Sequence, residues 1–189
     1  MILDVFSRYA VGWTVQHRET ASLAEQLISQ TLAKQQIGRD QLTIHADRGS
    51  SMTSKPVAFL LADLGVTKTH SRPYTSTDNP YSEAHFKTLK YRPGFPARFG
   101  SIMEARTFCR QFFGWYNHQH RHSGIALFTP EQVHDGAWTQ HWQQRDQALQ
   151  SYYETHPERF RNRPQTPKPH PIVGINLPAE NDPDRLHAA

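Results

Sequence analysis

The 189 residues carry 37% apolar side chains at a mean hydropathy of −0.72. That suffices for one globular domain, or a domain with a tail, but no run approaches the roughly 18 apolar residues that cross a bilayer. A single Cys109 excludes a disulfide framework and any zinc site built from several cysteines, and Met1-Ile-Leu-Asp-Val-Phe6 places an acid where a signal peptide carries bases, so a reducing cytoplasm is the expected setting.

In chain order, Ile2 to Phe6 and Tyr9 to Val15 are β-branched and aromatic runs joined at Ser7-Arg8, the pattern of a β-hairpin. Thr20 and Ser22 offer helix caps, with Ser22-Leu-Ala-Glu25 as a capping box, and Leu23, Leu27, Ile28 and Leu32 recur at helical spacing up to Gly38. Leu42 to Asp47 reads as a buried-type strand, Pro56 to Leu64 as a helix capped by Ser54, and Val66 to His70 as a strand. A polar loop, Ser71 to Asp78, precedes a helix from Asn79-Pro80 to about Tyr91. A second capping box, Ser101-Ile-Met-Glu104, opens a helix to about His118. Strands feeding helices after an antiparallel hairpin predict a mixed α/β sheet with helices packed on it. Prolines crowd the chain after Tyr152, so 151–189 is expected to be an irregular tail, with Ile172 to Leu177 as a docking strand.

Lysine and arginine number 21 against 17 acids, for a net +4. Between His85 and His122 stand seven cations and one acid, Glu104, a density that fits either a solvated basic face or a nucleic-acid contact. His118, His120 and His122 alternate, so they do not share a helix face, and phosphate or solvent is their expected partner rather than zinc. Trp115 and Tyr116 read as core, and Cys109 as an inert apolar residue.

Two carboxylates carry the chemical signal. Asp47 closes a strand, where ligand sites in such sheets collect, and Glu83 follows in the first turns of a helix with 35 residues between them. Alone, each is an ordinary turn or helix-start residue. Brought to one sheet edge, they supply the hard oxygens that Mg²⁺ takes alongside water and phosphate. Lys87 and Lys90 fall four and seven residues beyond Glu83, on its helix face. They fit a simple Glu–Lys pair, or, as favoured here, a grip on phosphates beside a metal.

Several stretches together resemble the integrase core of insertion-sequence transposases, the DDE superfamily that includes retroviral integrases. They are Leu3-Asp-Val-Phe-Ser-Arg8 with Val11-Gly-Trp13, His45-Ala-Asp-Arg-Gly-Ser50, Asp78-Asn-Pro-Tyr-Ser-Glu83 with Phe86-Lys-Thr-Leu-Lys90, Trp115 to His122, and Thr129-Pro-Glu-Gln-Val133. The resemblance implies a ribonuclease H-like mixed sheet flanked by helices, with residues 1–136 as a partial catalytic core, 137–150 as a helical extension and 151–189 as the tail. It also implies that Asp47 and Glu83 are the second and third metal-binding carboxylates, serving two Mg²⁺ or Mn²⁺ ions in the intact enzyme. Lys87, Lys90, Arg72 and Tyr74 are then the expected DNA contacts, and the partners are transposon ends, target DNA and further copies of the chain, without a membrane.

The sequence departs from the family pattern at its start. The family's first catalytic Asp, in a Trp-x-x-Asp-Ile/Val-Thr strand, has no counterpart, and neither Asp4 nor Asp78 replaces it. That strand is central in the ribonuclease H-like sheet, so two sheet pieces with unpaired edges are expected, each buried unpaired backbone group costing about 1–3 kcal/mol. The activity implied is metal-dependent phosphodiester cleavage and strand transfer by an intact transposase, with the isolated chain expected to be inactive. The rival readings are a non-catalytic remnant that binds DNA or transposase, and a simple nuclease of the same fold.

Overall fold

The computed structural model describes residues 1–71 and 79–175. In chain order they form β1 (Ile2–Leu3), β2 (Ala10–Gly12), α1 (Ala21–Gln35), β3 (Thr43–Ala46), α2 (Lys55–Asp63), β4 (Thr67–His70), α3 (Pro80–Lys90), α4 (Ile102–His118), α5 (Pro130–His134) and α6 (Trp138–Thr155). The mixed α/β architecture expected from the sequence is present. The chain divides into two compact units. One holds Met1–Asp4, Ala10–Phe112 and the described residues from Gly174, and the other holds Val5–Tyr9 with Phe113–Val173.

In the first unit the strands are shorter than their sequence runs. β1 and β2 are antiparallel, with Ile2 opposite Gly12 and Leu3 opposite Ala10, and an irregularity between these pairs ends regular pairing early. β2 lies against α1 at Gly12, where a Cβ would stand 2.0 Å from Thr31 Oγ1. That hydroxyl is itself held by the Leu27 carbonyl at 2.7 Å, so the strand approaches the helix only because residue 12 has no side chain.

Of the two candidate caps, α1 uses Thr20, two residues before the Ser22 box. Thr20 is extended and accepts the Leu23 N–H at 3.3 Å, which leaves Ser22 inside the helix. The helix stops at Gln36 in the left-handed region, ahead of Gly38.

β3 and β4 are parallel, Thr43 opposite Thr67 through Ala46 opposite His70, with α2 as the crossover. The turn from α2 into β4 uses Gly65 at φ +64, where a Cβ would meet Asp40 Oδ1 at 2.9 Å and Asp40 N at 3.0 Å. Between the helices and strands sit buried Ile28, Leu32, Val57, Leu61 and Val66, with Ile2, Leu42 and Ile44 packed on them. Burying one such aliphatic side chain contributes about 1.5–3 kcal/mol. Among the described residues the strands form two separate two-stranded sheets, β1–β2 and β3–β4.

The second unit is helical around Ile125, Phe128 and Val133, with Trp138 and Trp142 packed against them. Thr129 and Gln132 close a capping box at α5, each side chain bonding the other's backbone N–H. α6 continues to Thr155, past residue 150. The segment after it is laid back along the helix rather than left extended. Trp142 Nε1 donates to the Thr166 carbonyl at 3.2 Å, Gln150 Nε2 to the Pro164 carbonyl at 3.0 Å, and Thr166 Oγ1 to Asp146 Oδ1 at 2.7 Å. Prolines forbid a helix there but leave carbonyls free to accept, which is how a segment without periodicity becomes fixed. Ile172 to Gly174 are not in a strand, and Leu177 lies outside the described residues. No helix among the described residues is long and apolar enough to cross a membrane.

Candidate functional site

Asp47 follows β3 directly, exposed at the carboxyl end of a parallel strand. Its Oδ1 accepts the Gly49 N–H at 3.2 Å, a turn that folds the carboxylate over the next residues, and His70 Nδ1 donates to its backbone carbonyl at 3.2 Å. Arg48 Nε donates to the Ser71 carbonyl at 3.3 Å, so both residues after β3 are tied to the end of β4.

His45 is committed to β4. Its Nδ1 lies 2.9 Å from Thr69 Oγ1 and its Nε2 3.2 Å from Ser71 Oγ, so both ring nitrogens latch the two parallel strands together.

Sequence reasoning missed Glu19 and Ser51. Buried Ser51 donates its hydroxyl to Glu19 Oε1 just before α1, anchoring the segment that leaves Asp47. A Cβ at Gly49 would stand 3.2 Å from Asp47 Oδ1 and 3.6 Å from Glu19 Oε1, so both carboxylates border this glycine. An acid before a helix cap is too common to single out, and the hydroxyl it meets is 32 residues away in sequence. The Thr53 N–H and hydroxyl both reach the Gly49 carbonyl, at 3.0 and 3.1 Å, closing the turn into α2.

Glu83 stands in the first turn of α3, its N–H donating to the Asn79 carbonyl at 3.2 Å, and its side chain is exposed. Asn79 makes no side-chain cap bond, and Pro80 starts the helix with its fixed φ. A carboxylate in the first turn and Lys87 and Lys90 in the last both complement the helix dipole. The opposite side of α3 is anchored by His85, buried with its ring edge-on to Phe112 at 5.6 Å. No salt bridge joins Glu83 to Lys87 among the described residues, so the simple helix-pair reading of that spacing is not realised.

Asp47 and Glu83 therefore sit at a strand end and a helix start of one unit. Their donor set fits Mg²⁺, which is commonly bound by one or two carboxylates and completes its shell with water and phosphate. Among the described residues no three His, Cys, Asp or Glu side chains form a group able to hold a metal. Arg72, Tyr74 and Asp78 lie outside the described residues.

In the second unit the histidines take separate partners. His118 Nδ1 is 2.8 Å from Glu131 Oε1, His120 stacks on Tyr116 with centroids 5.3 Å apart, and His122 Nδ1 accepts the Gly124 N–H at 3.0 Å. Burial, then the neighbouring charges of His120 and Arg8, lower the His122 pKa to about 4. Tyr116 is fully buried, and its hydroxyl pKa rises to about 12 through desolvation, as expected of a core residue. Partial burial raises the pKa of the Cys109 thiol, in keeping with an inert cysteine.

Two models described as integrase core domain match the chain in succession, over residues 1–76 and 64–130. The chain is 31% identical over 130 residues to a transposase for insertion sequence element IS904 of Lactococcus lactis, covering 68% of this chain and 51% of that protein. It is 29% identical over 134 residues to transposase InsF for insertion sequence IS3A of Escherichia coli, covering 70% and 46%. The chain thus spans about half the length of the curated relatives it matches. Among solved structures it resembles the catalytic core domain of BIV integrase at 22% identity and a TM-score of 0.49, covering 71% of this chain and 86% of that one. With both models in chain order around Asp47 and Glu83, the chain belongs to the integrase core domain family, among the insertion-sequence transposases.

Proposed function

We propose that the chain is the part of a DDE transposase core that presents the second and third metal-binding carboxylates, Asp47 and Glu83, to DNA. The observation that carries this reading is the placement of Glu83. It is exposed one turn into α3, ahead of exposed Lys87 and Lys90 on the same face, in the same unit as Asp47 at the end of β3.

Integrase core proteins generally use divalent metal ions. Here Asp47 and Glu83 would hold Mg²⁺ or Mn²⁺, two ions in the intact enzyme, which when bound activate the attacking oxygen and steady the leaving oxygen of a phosphodiester. Asp47 contributes through an oxygen positioned by the Gly49 N–H. Lys87 and Lys90 neutralise the phosphates flanking the scissile bond and hold the strand in line. The substrates are transposon ends, whose freed 3′-hydroxyl then attacks target DNA, and the working unit is a homo-oligomer. The second reading, a non-catalytic part that binds DNA or transposase, is favoured by one observation: no three metal-competent side chains form a group among the described residues.

The test is Glu83→Gln in a transposase that carries this chain at the length of its relatives, assayed with Mn²⁺. Joining is expected to fall by about a thousandfold or more, with DNA affinity kept within about threefold, because a neutral amide is a poor metal ligand yet fills the same space. Equal loss of joining and binding counts against the metal role. Salt-sensitive binding without joining in the unsubstituted protein selects the non-catalytic reading.

A further inference from the structure

The outward face of α3 carries more than cations. At about 100° per residue, Phe86, Lys90, Glu83, Lys87 and Tyr91 fall in that order across an arc of about 140°, with buried His85 on the opposite side. Phe86 is 53% exposed and Tyr91, the residue that ends the helix, is 77% exposed. The two rings thus flank the two lysines, one at each edge of the arc.

An exposed apolar ring gains little from a phosphate, and a closed duplex offers it little else, because paired bases present their faces only to one another. Aromatic rings beside cations match a strand whose bases are unpaired. There the cations follow the backbone, and each ring stacks on a base regardless of its identity. The lysines supply the complementary charge, and they set the class of partner as polyanionic.

We infer that Phe86 and Tyr91 form a stacking platform for unpaired bases of a DNA end, with Lys87 and Lys90 holding the intervening phosphates. The inference rests on the DNA reading above and deepens it. The protein recognises an opened end, and the opening is stabilised by the same helix that presents Glu83. Rings and carboxylate sharing one face place an unstacked nucleotide next to the phosphodiester to be cut.

The experiment uses the 189-residue chain and two labelled probes, a blunt duplex and the same duplex with an unpaired end, in fluorescence anisotropy across a salt series. Phe86→Ala and Tyr91→Ala are each expected to weaken binding of the unpaired end by about tenfold, with blunt-duplex affinity within about twofold and the salt slope unchanged. Phe86→Trp is expected to keep the preference. Lys87→Ala is expected to weaken both probes and reduce the slope by about 0.7–0.9. Equal binding of the two probes by parent and ring variants overturns the inference, as does equal loss on both probes, which would mark the rings as a surface for another protein. Both outcomes leave the DNA reading standing, provided the parent binds with a salt slope. A parent that binds neither probe overturns the DNA reading and the stacking platform together.

Discussion

The basic stretch from His85 to His122 is uniform in sequence, but the α3 lysines of the first unit and two arginines of the second, Arg121 and Arg145, are used in opposite ways, and Arg106 of the first unit, donating to the Val15 carbonyl at 3.0 Å, sides with the arginines. On α3, Lys87 and Lys90 point outward beside an exposed carboxylate and exposed rings. In the second unit Arg121 and Arg145 are spent internally. Arg145, from α6, donates to the Ala126 carbonyl at 2.9 Å and the Leu127 carbonyl at 3.1 Å, and its guanidinium lies 3.9 Å from the centre of the Phe128 ring. Arg121 reaches the Leu127 carbonyl and Gln132 Oε1, at 3.4 and 3.3 Å. Ala126 and Leu127 both occupy the left-handed region, at φ 55 and 59, which side chains disfavour. Arginine holds that turn because its fork can satisfy two adjacent carbonyls at once, which a lysine cannot do. Charge density in a sequence therefore does not separate a binding surface from a structural clamp. What separates them is whether carbonyls are left for the cations to satisfy.

The largest expected effect tests the clamp. Arg145→Ala removes two charge-assisted hydrogen bonds and a ring contact from a backbone turn that is costly to hold. Chemical denaturation is expected to show a loss of about 2–3 kcal/mol. DNA affinity and its salt slope are expected to stay at parental values. A large drop in the slope with unchanged stability would erase the distinction between the two regions.

The converse substitution is smaller. Lys87→Ala leaves every described contact of α3 in place, so stability should stay within about 0.5 kcal/mol of the parent. Binding should weaken by an amount that shrinks as salt rises, as the loss of one neutralised phosphate requires. Measuring both variants by denaturation and by anisotropy fills the two-by-two comparison. Stability loss without binding loss belongs to Arg145, and the reverse to Lys87.

How much of this was legible in the sequence follows from the range of the forces involved. Asp47, Glu83 and the lysines were readable because local signals, a strand end and a helix period, fix where each stands. The position of α1 was readable too, but not which of two good acceptors caps it: Thr20 and Ser22 both fit, and the structure uses Thr20. The separation of the described strands into two pairs matches the two sheet pieces expected from the family pattern, whereas the brevity of β1 and β2 was not expected. Glu19 and Ser51 were invisible because their bond spans 32 residues. The exposure of Phe86 was hidden for a different reason. An aromatic residue in a helix reads as core, and only the packing of His85 on the other side turns it outward.

The smallest expected effect sharpens the comparison by pH. His122 lies in the second unit, and its pKa is lowered from 6.5 to about 4 by burial first and then by His120 and Arg8. Between these values the unfolded chain binds the proton and the folded chain does not, so stability rises with pH through this window and is lost as pH falls from about 6.5 toward 4. Protonation would also take away the lone pair with which Nδ1 accepts the Gly124 N–H, opening the turn that leads into Ile125. The measurement is a set of thermal melts at pH 7, 6, 5 and 4 on the parent and on a variant that cannot titrate at residue 122. The informative quantity is therefore the difference from His122→Asn, which retains an acceptor and does not titrate. The variant is expected to melt with a flatter profile from pH 6.5 to 4, and with unchanged DNA salt slope at pH 7, since no contact on α3 is touched. Parallel profiles would mean that His122 is free to ionise within the fold, and that the second unit is less tightly closed around this turn than its hydrogen bonds indicate.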